Sequence, residues 1–341
     1  MQAPWDDVLA QVRRYPSPHN SQPMKVRVTS QHTADVFYDL DRGLPAESFG
    51  IPFAHVCAGV FLHALGVVAG AHGWRVEEDL DLTPMDFDAA DRAHRIGTVR
   101  LVARAIDAEA AADGEAFVRR RTSRRPYDGR LVDDDVLAGA AVIAAEAGHT
   151  LGVTAQPDDV RALVRINQRT LFDDLRNDAV HAEILQWLRY SEREAAATGD
   201  GLSAATMLMP GGVLRFAMRH RGLWEAPVIG SLIKAVYLRT MRGVPQLAWL
   251  TGPFADERDY LEAGRTFLRI WLHLERSGVV LHPLGTVITN PTSHAALVER
   301  LGIREENGEM AWMLVRIGYS PRPPLAHRRD VAEMLLPGET S

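Results

Sequence analysis

The sequence predicts an α+β fold made of two unequal halves. Two patterns support this: apolar residues recur at helical spacing over several long stretches, and short β-rich runs that suit antiparallel pairing lie between them. A chain of 341 residues can form two domains, or two half-size units that share one core. We expect an N-terminal half of residues 1–108 and a C-terminal half of residues 109–341.

The first half is predicted to contain two helices and three strands. They are expected at residues 5–15, 25–29, 34–38, 52–71 and 97–103. The first helix ends where Tyr15 precedes Pro16, because a residue before proline avoids helical backbone angles. The apolar run 54–71 approaches the length of a membrane span. Its histidines and many small residues instead favour a buried helix packed closely against a partner.

The second half begins with a helix that ends in an arginine-rich run, 119–125. Further helices are predicted at 133–147, 158–188, 259–277 and 293–301, and strands at 150–155 and 310–319. The stretch 195–250 differs, because glycine and proline interrupt it and methionine and tryptophan enrich it. This composition is typical of a lid over an apolar slot. A plain helical insertion that only adds core is an equal alternative.

The composition restricts the classes of function. Hydrophobic residues at 46% and charged residues at 24% are typical of a soluble globular protein, and a net charge of −6 argues against bulk nucleic-acid binding. The single cysteine, Cys57, excludes an internal disulfide and a multi-thiolate metal site. Residues 1–7 lack the features of a signal peptide. We therefore expect a cytoplasmic protein with no metal, nucleic-acid or membrane partner.

Two short motifs carry the chemical information. The run Pro16-Ser17-Pro18-His19-Asn20-Ser21-Gln22-Pro23 places small hydrogen-bonding groups on a rigid, non-helical backbone. The run Arg119-Arg120-Arg121-Thr122-Ser123-Arg124-Arg125 gathers cations and hydroxyls that suit a dianionic phosphate. Either motif alone could be structural, as a turn or as a solvated helix end. Together they predict one mononucleotide site divided between the two halves.

The first motif resembles the Pro-Ser-x-x-Asn-x-Gln-Pro segment of the nitroreductase superfamily, and the second resembles its Arg-Arg-Ser/Thr-x-Arg segment. Their order, and the closing pattern Gly318-Tyr319, Leu325, Arg328-Arg329 and Val331, is similar to the fused, pseudo-dimeric, Acg-like branch of actinobacterial proteins. In ordinary members a tryptophan follows Gln-Pro, whereas this chain has Met24. The packing of this loop is therefore an open question.

The resemblance implies a nitroreductase-like fold in which two fused half-units form a single-chain pseudo-dimer with a lid. It also implies FMN as the cofactor. The second half has Ala147-Gly148-His149-Thr150-Leu151-Gly152 where another Pro-Ser-Asn run would be expected. One complete site and one vestigial site follow. The implied cofactor-binding residues are Pro16, Ser17, Pro18, His19, Asn20, Gln22, Arg120, Arg121, Thr122, Arg124, Pro283, Leu284, Gly285, Arg328 and Arg329.

By the same resemblance, each of these residues has a role. The phosphate would be held by Arg120, Thr122, Arg328 and Arg329 from one half and by Ser17 from the other. Asn20 suits the ribityl hydroxyls, supported by Gln22. Arg124 would face the N1–C2=O edge of the flavin, where a cation favours the reduced ring. A backbone N–H of 283–285 would meet N5, and His19 would be a wall residue.

The implied function is an FMN-dependent oxidoreductase of a small molecule. NADH or NADPH would be the transient donor, and an electron-poor acceptor such as a nitroaromatic or a quinone would take hydride from N5. An FMN storage protein with little turnover, or a dedicated dehydrogenase on the same scaffold, are the alternatives. A monomer or a weak homodimer is expected. The run Gly199-Asp200-Gly201-Leu202-Ser203-Ala204 does not predict a dinucleotide site, because no predicted strand precedes it.

Overall fold

The computed structural model describes residues 4–224 and 226–337. Residue 225 of the predicted lid and the outer ends of the predicted halves, 1–3 and 338–341, lie outside the described residues. The first part of the chain contains helices α1 Pro4–Val12, α2 Pro45–Ser48 and α3 Phe53–Ala71. Its strands are β1 Met24–Val28, β2 Thr33–Asp39, β3 Trp74–Leu80 and β4 Ala93–Ala103.

The remainder of the chain is richer in helix. The helices are α4 Ala108–Arg119, α5 Asp134–Glu146, α6 Pro157–Asp174, α7 Asp178–Trp187, α8 Glu192–Thr198, α9 Gly211–Arg219, α10 Pro227–Thr240, α11 Glu257–Arg276, α12 Gly285–Thr289, α13 Pro291–Leu301 and α14 Val331–Met334. The strands are β5 Thr150–Thr154, β6 Leu188–Arg189, β7 Leu202–Ser203, β8 Gln246–Pro253, β9 Val280–Pro283 and β10 Glu309–Gly318. The fold is α+β, as the sequence predicts.

Two four-stranded antiparallel sheets have the same strand arrangement. The first has the order β1-β2-β4-β3, and the second has the order β5-β8-β10-β9. In the first sheet Val26 lies opposite Val36, which lies opposite Gly97. In the second, Gly152 lies opposite Trp249, which lies opposite Leu314. In each sheet the long helix, α3 or α11, follows the second strand in chain order and leads to the third.

Helices α3 and α11 cross where glycines replace side chains. A Cβ atom at Gly59 would lie 1.9 Å from the Leu261 carbonyl oxygen, and one at Gly264 would lie 2.0 Å from the Val56 carbonyl oxygen. Any side chain at either position would therefore push the two helices apart. The close packing expected of the apolar helix is confirmed, and 72% of its membrane-length window is buried inside the molecule.

One large hydrophobic cluster joins both sheets to these two helices. Its buried members include Val36 of β2, Phe61 of α3, Leu268 of α11 and Val315 of β10. The tail of the chain also returns to the first sheet, where the Leu336 N–H donates to the Val26 carbonyl oxygen at 2.9 Å. The two predicted halves therefore share one core.

The segment between β5 and β8 forms an insertion with its own small core. Phe172, Val180, Leu214 and Trp224 are among the buried members of that core. The predicted helix 158–188 is two helices, because the Asn177 side chain accepts from the Ala179 and Val180 N–H groups and begins α7. The predicted lid, 195–250, overlaps the buried strand β8 from residue 246. The insertion therefore ends earlier than predicted.

Candidate functional site

The loop before β1 has an unusual backbone. His19, Asn20 and Gln22 have φ values of 49°, 57° and 52°, in the left-handed region that non-glycine residues rarely adopt. The Ser17 hydroxyl oxygen accepts from the Gln22 N–H at 2.9 Å and closes the loop on itself. Three such residues within four positions cost free energy unless the surroundings fix them. The side-chain contacts of the loop supply that fixation.

Asn20 connects its loop to two distant segments of the chain. Its amide nitrogen donates to the His327 carbonyl oxygen at 3.1 Å and to the Gly201 carbonyl oxygen at 3.2 Å. Its amide oxygen accepts from Arg328 Nη1 at 2.7 Å. Both sides of one buried amide are therefore in use within the protein. This contact places Arg328 directly beside the first motif.

Gln22 fixes the same two distant segments. Its amide nitrogen donates to the Gly199 carbonyl oxygen at 3.0 Å, and its amide oxygen accepts from the Arg329 N–H at 3.1 Å. The Arg329 guanidinium itself is paired with Glu333, with Nε at 2.9 Å from the carboxylate. Gln22 therefore supports the loop, while Arg329 forms an ion pair with Glu333 of α14.

The second motif is connected to the first motif through the carbonyl group of Arg14 and the side chain of Arg328. The Arg14 carbonyl oxygen accepts from Arg120 Nη2 at 2.9 Å and from Arg328 Nη2 at 3.3 Å. The Arg120 guanidinium also lies over the Trp271 ring, 4.4 Å from its centre. Asn20, Arg328 and Arg120 thus form one connected group. The two motifs, about a hundred residues apart in the sequence, meet in the fold.

Several arginines each have one buried guanidinium nitrogen that finds no hydrogen-bond acceptor. The buried nitrogens without a hydrogen-bond partner include Nε of Arg120, Arg121, Arg125, Arg316 and Arg328, and Nη1 of Arg329. A buried cationic donor without a partner costs free energy. These arginines therefore fit an anionic ligand whose oxygens accept hydrogen bonds from several of them.

Burial changes the proton affinity of two of these arginines. It lowers the pKa of Arg120 to about 9, and the nearby Arg328 lowers it further in the same direction. Burial likewise lowers the pKa of Arg328 to about 10. Both groups stay charged at neutral pH, but at a free-energy cost. An anion placed between them would remove part of that cost.

Arg124 lies in a second, adjoining cationic region. No hydrogen-bond acceptor or carboxylate contacts its side chain among the residues that the structure describes. Burial lowers its pKa to about 10, with Arg316 contributing in the same direction. Arg316 is fully buried and donates to the Ser123 carbonyl oxygen at 2.8 Å. His282 is neutral here, because burial and both arginines lower its pKa well below the usual range.

The arginine motif also contacts strand β9. Thr122 forms a bridge with Leu281, and the Ser123 N–H donates to the Leu281 carbonyl oxygen at 3.0 Å. This pairing brings the motif to the segment 283–285. Within that segment, proline lacks an N–H, and the Leu284 N–H is used by the Leu314 carbonyl oxygen at 2.8 Å. Gly285 is therefore the position with a backbone donor to spare, and the space beside its Cα is open.

Sequence reasoning missed a group of acids beside the first motif. His19 Nε2 contacts the Glu47 carboxylate closely, and the Glu183 carboxylate accepts from the Ala46 and Glu47 N–H groups at 2.9 and 2.8 Å. Burial lowers the pKa of His19, but Glu47 outweighs burial and leaves this pKa above its usual value. No spacing in the sequence links these residues, which lie on three separate segments.

Arg124 lies close enough to His19 for its charge to lower the pKa of that imidazole. His19 Nδ1 is buried and has no partner among the residues described. The two motifs, the 283–285 segment and this acidic group therefore converge on one region. Across the described part of the chain, no group of three or more His, Cys, Asp or Glu side chains could hold a metal ion.

Comparison with known proteins adds a relationship to this geometry. No protein-family model matches the chain. A curated relative, the probable NAD(P)H nitroreductase PigM from Serratia sp. (strain ATCC 39006), is 24% identical over 308 residues, which cover 84% of this chain and 81% of PigM. The chain is therefore similar to the nitroreductase superfamily over most of its length.

Solved structures of this superfamily are also similar to the chain. A nitroreductase-like family protein from Bacillus cereus is 13% identical, with a TM-score of 0.38, over 67% of this chain and 96% of its own. The nitroreductase NfnB from Mycobacterium smegmatis, solved with NADPH, is 15% identical, with a TM-score of 0.36, over 66% and 97%.

Met24 stands where the resemblance predicts a tryptophan. The Met24 side chain is fully buried, and its N–H donates to the Tyr15 hydroxyl oxygen at 2.9 Å. Tyr15 in turn packs edge-on against Phe61 of α3, with ring centres 5.1 Å apart. The backbone after the first motif is therefore held by Tyr15, while methionine fills the apolar position.

Proposed function

We propose that the chain binds one FMN where the two motifs meet. The observation that carries this proposal is the set of buried guanidinium nitrogens without partners around the Asn20–Arg328 contact. A dianionic phosphate accepts several charge-assisted hydrogen bonds at once, which is what these donors require. The Thr122 hydroxyl also has no partner among the described side chains and is available to the same oxygens.

The proposed roles follow from which groups are still available. Arg120, Arg328 and Thr122 would bind the phosphate, and the Ser17 hydroxyl would donate to it while continuing to accept from Gln22. Asn20 would present its amide to the ribityl chain at the expense of one present contact. Arg329 and Gln22 would act mainly by holding the loop. The other proposed lining residues are Pro16, Pro18, His19, Arg121, Pro283 and Leu284.

Arg124 and Gly285 would lie against the flavin ring. FMN, when bound, supplies an N5 atom that accepts and releases hydride. Arg124 has no carboxylate partner, so its charge is free to stabilise negative charge on the N1–C2=O side. The Gly285 N–H is the donor that suits N5. The surrounding apolar residues of the insertion would exclude water, which strengthens both interactions.

We further propose that the chain is a fused pseudo-dimer with one complete site. The same strand order in both sheets and the reciprocal glycine contacts of α3 and α11 support this. Fusion would satisfy internally the interface that separate subunits otherwise form. A monomer of about the chain mass, 37.7 kDa, or a weak homodimer is expected in the cytoplasm. Membership of the actinobacterial Acg-like branch is part of the same proposal.

The proposed reaction is reduction of an electron-poor small molecule, such as a nitroaromatic or a quinone, at the expense of NADH or NADPH. PigM, which is described as a probable NAD(P)H nitroreductase, supports this class of chemistry. The insertion α6–α10 would act as the lid over the substrate. Tyr237 of α10 contacts Asn167 of α6 and lies close enough to Arg124 to affect its proton affinity.

The binding step can be tested by titrating FMN into the protein and following quenching of flavin fluorescence. Arg120→Met should weaken FMN about 10- to 100-fold, because it removes a charged hydrogen-bond donor from the phosphate. Arg119→Met is the matched control, since Arg119 is exposed and pairs with Glu115. Thr122→Val, which retains the shape of the side chain, should weaken FMN without affecting folding. Equal affinities for all four proteins would refute the site.

The redox step is tested by adding NADH or NADPH to the loaded protein without oxygen. Loss of the oxidised flavin absorbance within seconds supports the oxidoreductase. Indifference to both donors, with reduction by dithionite, would instead support FMN storage. A protein that takes up no flavin at all would overturn the proposal.

A further inference from the structure

Residues 206–245, the last part of the insertion, have a charge opposite to that of the rest of the chain. Residues 206–245 carry six Lys and Arg residues and one Glu. The rest of the chain carries 32 Lys and Arg residues and 43 Asp and Glu residues. The net charge of −6 therefore conceals a compact basic segment. A basic segment on an otherwise acidic protein indicates that this segment binds an acidic partner.

Helix α9 presents apolar side chains to solvent. Val213 and Phe216, three residues apart and so on one face, are 56% and 55% exposed. The opposite side of α9 packs inward through Leu214 and Met218, which are buried in the insertion core. The outward apolar face is therefore not required by that core.

Helix α10 repeats this arrangement. Its exposed positions include Val228, Ser231, Ala235 and Leu238, whose spacing of three, four and three residues defines one face. Val228 is 82% exposed, and Leu238 is 37% exposed. A solvent-facing helix surface usually carries charged residues. The four exposed positions named here carry none.

Arginines without acidic partners surround these faces. Arg219, Arg239 and Arg242 are exposed, and no carboxylate lies within 4.0 Å of their guanidinium groups among the described residues. Arg215 has a carboxylate partner, Glu194, but the ion pair is long, at 3.9 Å, and the arginine side chain is half exposed. Residues 206–245 thus combine exposed apolar side chains with three exposed arginines that contact no carboxylate among the described residues.

We propose that the outward faces of α9 and α10 dock this protein on an anionic lipid surface. Amphipathic helices with apolar side chains beside arginine bind membrane interfaces through both apolar burial and attraction to acidic headgroups. Val213, Phe216, Val228 and Leu238 do not line the cavity beside Arg221 and Trp224, which favours a bilayer over an acidic peptide held in that cavity. This contact is peripheral and differs from a membrane-spanning segment.

The surface is also linked to the candidate site. Tyr237 lies on α10 between the outward face and the Arg124 region. An apolar acceptor held in a bilayer would therefore meet the protein at the helix that covers the site. The docking itself does not rest on the proposed FMN chemistry, and it can be tested without flavin.

The experiment is flotation of the purified full chain with vesicles. The wild type should bind vesicles of phosphatidylcholine with phosphatidylglycerol, bind phosphatidylcholine alone much more weakly, and dissociate as salt is raised. Phe216→Ser and the double variant Arg219→Glu/Arg239→Glu should each reduce the partition coefficient about tenfold or more. All three positions are exposed, so the variants should fold, and far-ultraviolet circular dichroism verifies this.

Two exposed apolar residues outside the insertion provide matched controls. Leu131→Ser and Val142→Ser replace side chains that are 57% and 59% exposed, and they should leave vesicle binding unchanged. The proposal is overturned if the wild type does not bind anionic vesicles, or if the control variants lose binding as much as Phe216→Ser does. It is equally overturned if light scattering shows that the wild type is a dimer which Phe216→Ser dissociates, because the face would then bind a second copy.

Discussion

Strands β1 and β5 occupy the same edge position in their two sheets, but the loops that lead into them differ in chemistry. The loop before β1 carries Asn20 and meets arginines whose nitrogens lack partners. The loop before β5 carries His149, which is buried against Trp312 with a hydrogen bond of 3.3 Å. One edge is polar and cationic, and the other is aromatic.

The aromatic region is filled by its own side chains. Trp312 stacks on Phe254 with ring centres 6.2 Å apart, and Phe254 contacts Tyr260 at 4.7 Å. Tyr260 in turn lies 6.0 Å from His55. Edge-on and stacked rings of this kind stabilise a core. The difference teaches that the same strand arrangement can either retain a polar site or close it with packed rings.

The largest expected effect is on stability in the aromatic region. Trp312→Ala should destabilise the protein by about 3–5 kcal/mol, because it leaves a cavity where a fully buried indole packs on two neighbours. Urea denaturation measures the loss. FMN affinity of the folded variant should stay at the wild-type value. A large loss of FMN affinity with little loss of stability would show that the aromatic region is part of the site.

The next largest effect is expected at the cationic region, where a substitution should reduce FMN affinity and change stability little. Arg328→Met should raise the Kd for FMN about 10- to 100-fold, since a charged donor is lost. The flavin-free protein should lose little stability, because removal of a poorly paired buried charge offsets the loss of the bonds to Asn20 and Arg14. Calorimetric unfolding with and without FMN separates the change in FMN affinity from the change in stability of the flavin-free protein. Unfolding of the flavin-free variant at room temperature would contradict the comparison.

A smaller effect concerns pH and Asp174 of α6, a buried acid close enough to Glu47 for that carboxylate to contribute to its raised pKa. Burial raises the pKa of Asp174 to about 6, so its stabilising contribution is complete below about pH 4 and is lost as the pH rises through 6. Asp174→Asn keeps the oxygen that accepts from Asn290 at 2.7 Å and abolishes the ionisation. The variant should therefore exceed the wild type in stability at pH 8 by about 1–2 kcal/mol.

Urea titrations at pH 4 and pH 8 measure this difference. Asp173→Asn is the control. Asp173 precedes Asp174 in the sequence, and its carboxylate is exposed and pairs with Arg176. The control should show no comparable change between the two pH values. If Asp174→Asn has the same stability as the wild type at both, the carboxylate is not held at a raised pKa.

The smallest effect is expected at Met24. Met24→Leu retains apolar volume at a fully buried position, so it should cost less than about 1.5 kcal/mol and leave FMN binding unchanged. Thermal denaturation and the fluorescence titration check both parts. A loss of FMN affinity would show that the side chain at this position shapes the site directly and does not merely fill space.

Much of the fold could be predicted from local patterns. The apolar helix α3, the amphipathic helix α11 and strand β10 were expected within a few residues of their observed bounds. Strand β3 was not predicted, because its sequence Trp-Arg-Val-Glu-Glu-Asp-Leu carries three acids and little buried surface. Strand β8 was assigned to the lid, since the glycines and prolines before it obscured its start.

The candidate site was predicted less completely. The two motifs were found because proline and arginine act locally, through backbone geometry and charge. The contacts of His19 with Glu47 and of Arg316 with Ser123 could not be predicted, because each joins residues with no sequence relationship. Similarity to a probable NAD(P)H nitroreductase supports the proposed class of chemistry, whereas the individual residue roles stay predictions.

The sequence by itself determined that a rigid, non-helical loop would carry Asn20 and that a helix would end in clustered guanidinium groups. Only the tertiary structure decided which of those groups lack a partner and which are held, as Arg328 is by an amide 308 positions away. The reason is physical: backbone preference depends on neighbouring residues along the chain. Desolvation and hydrogen bonding depend on whatever the fold places within a few ångströms.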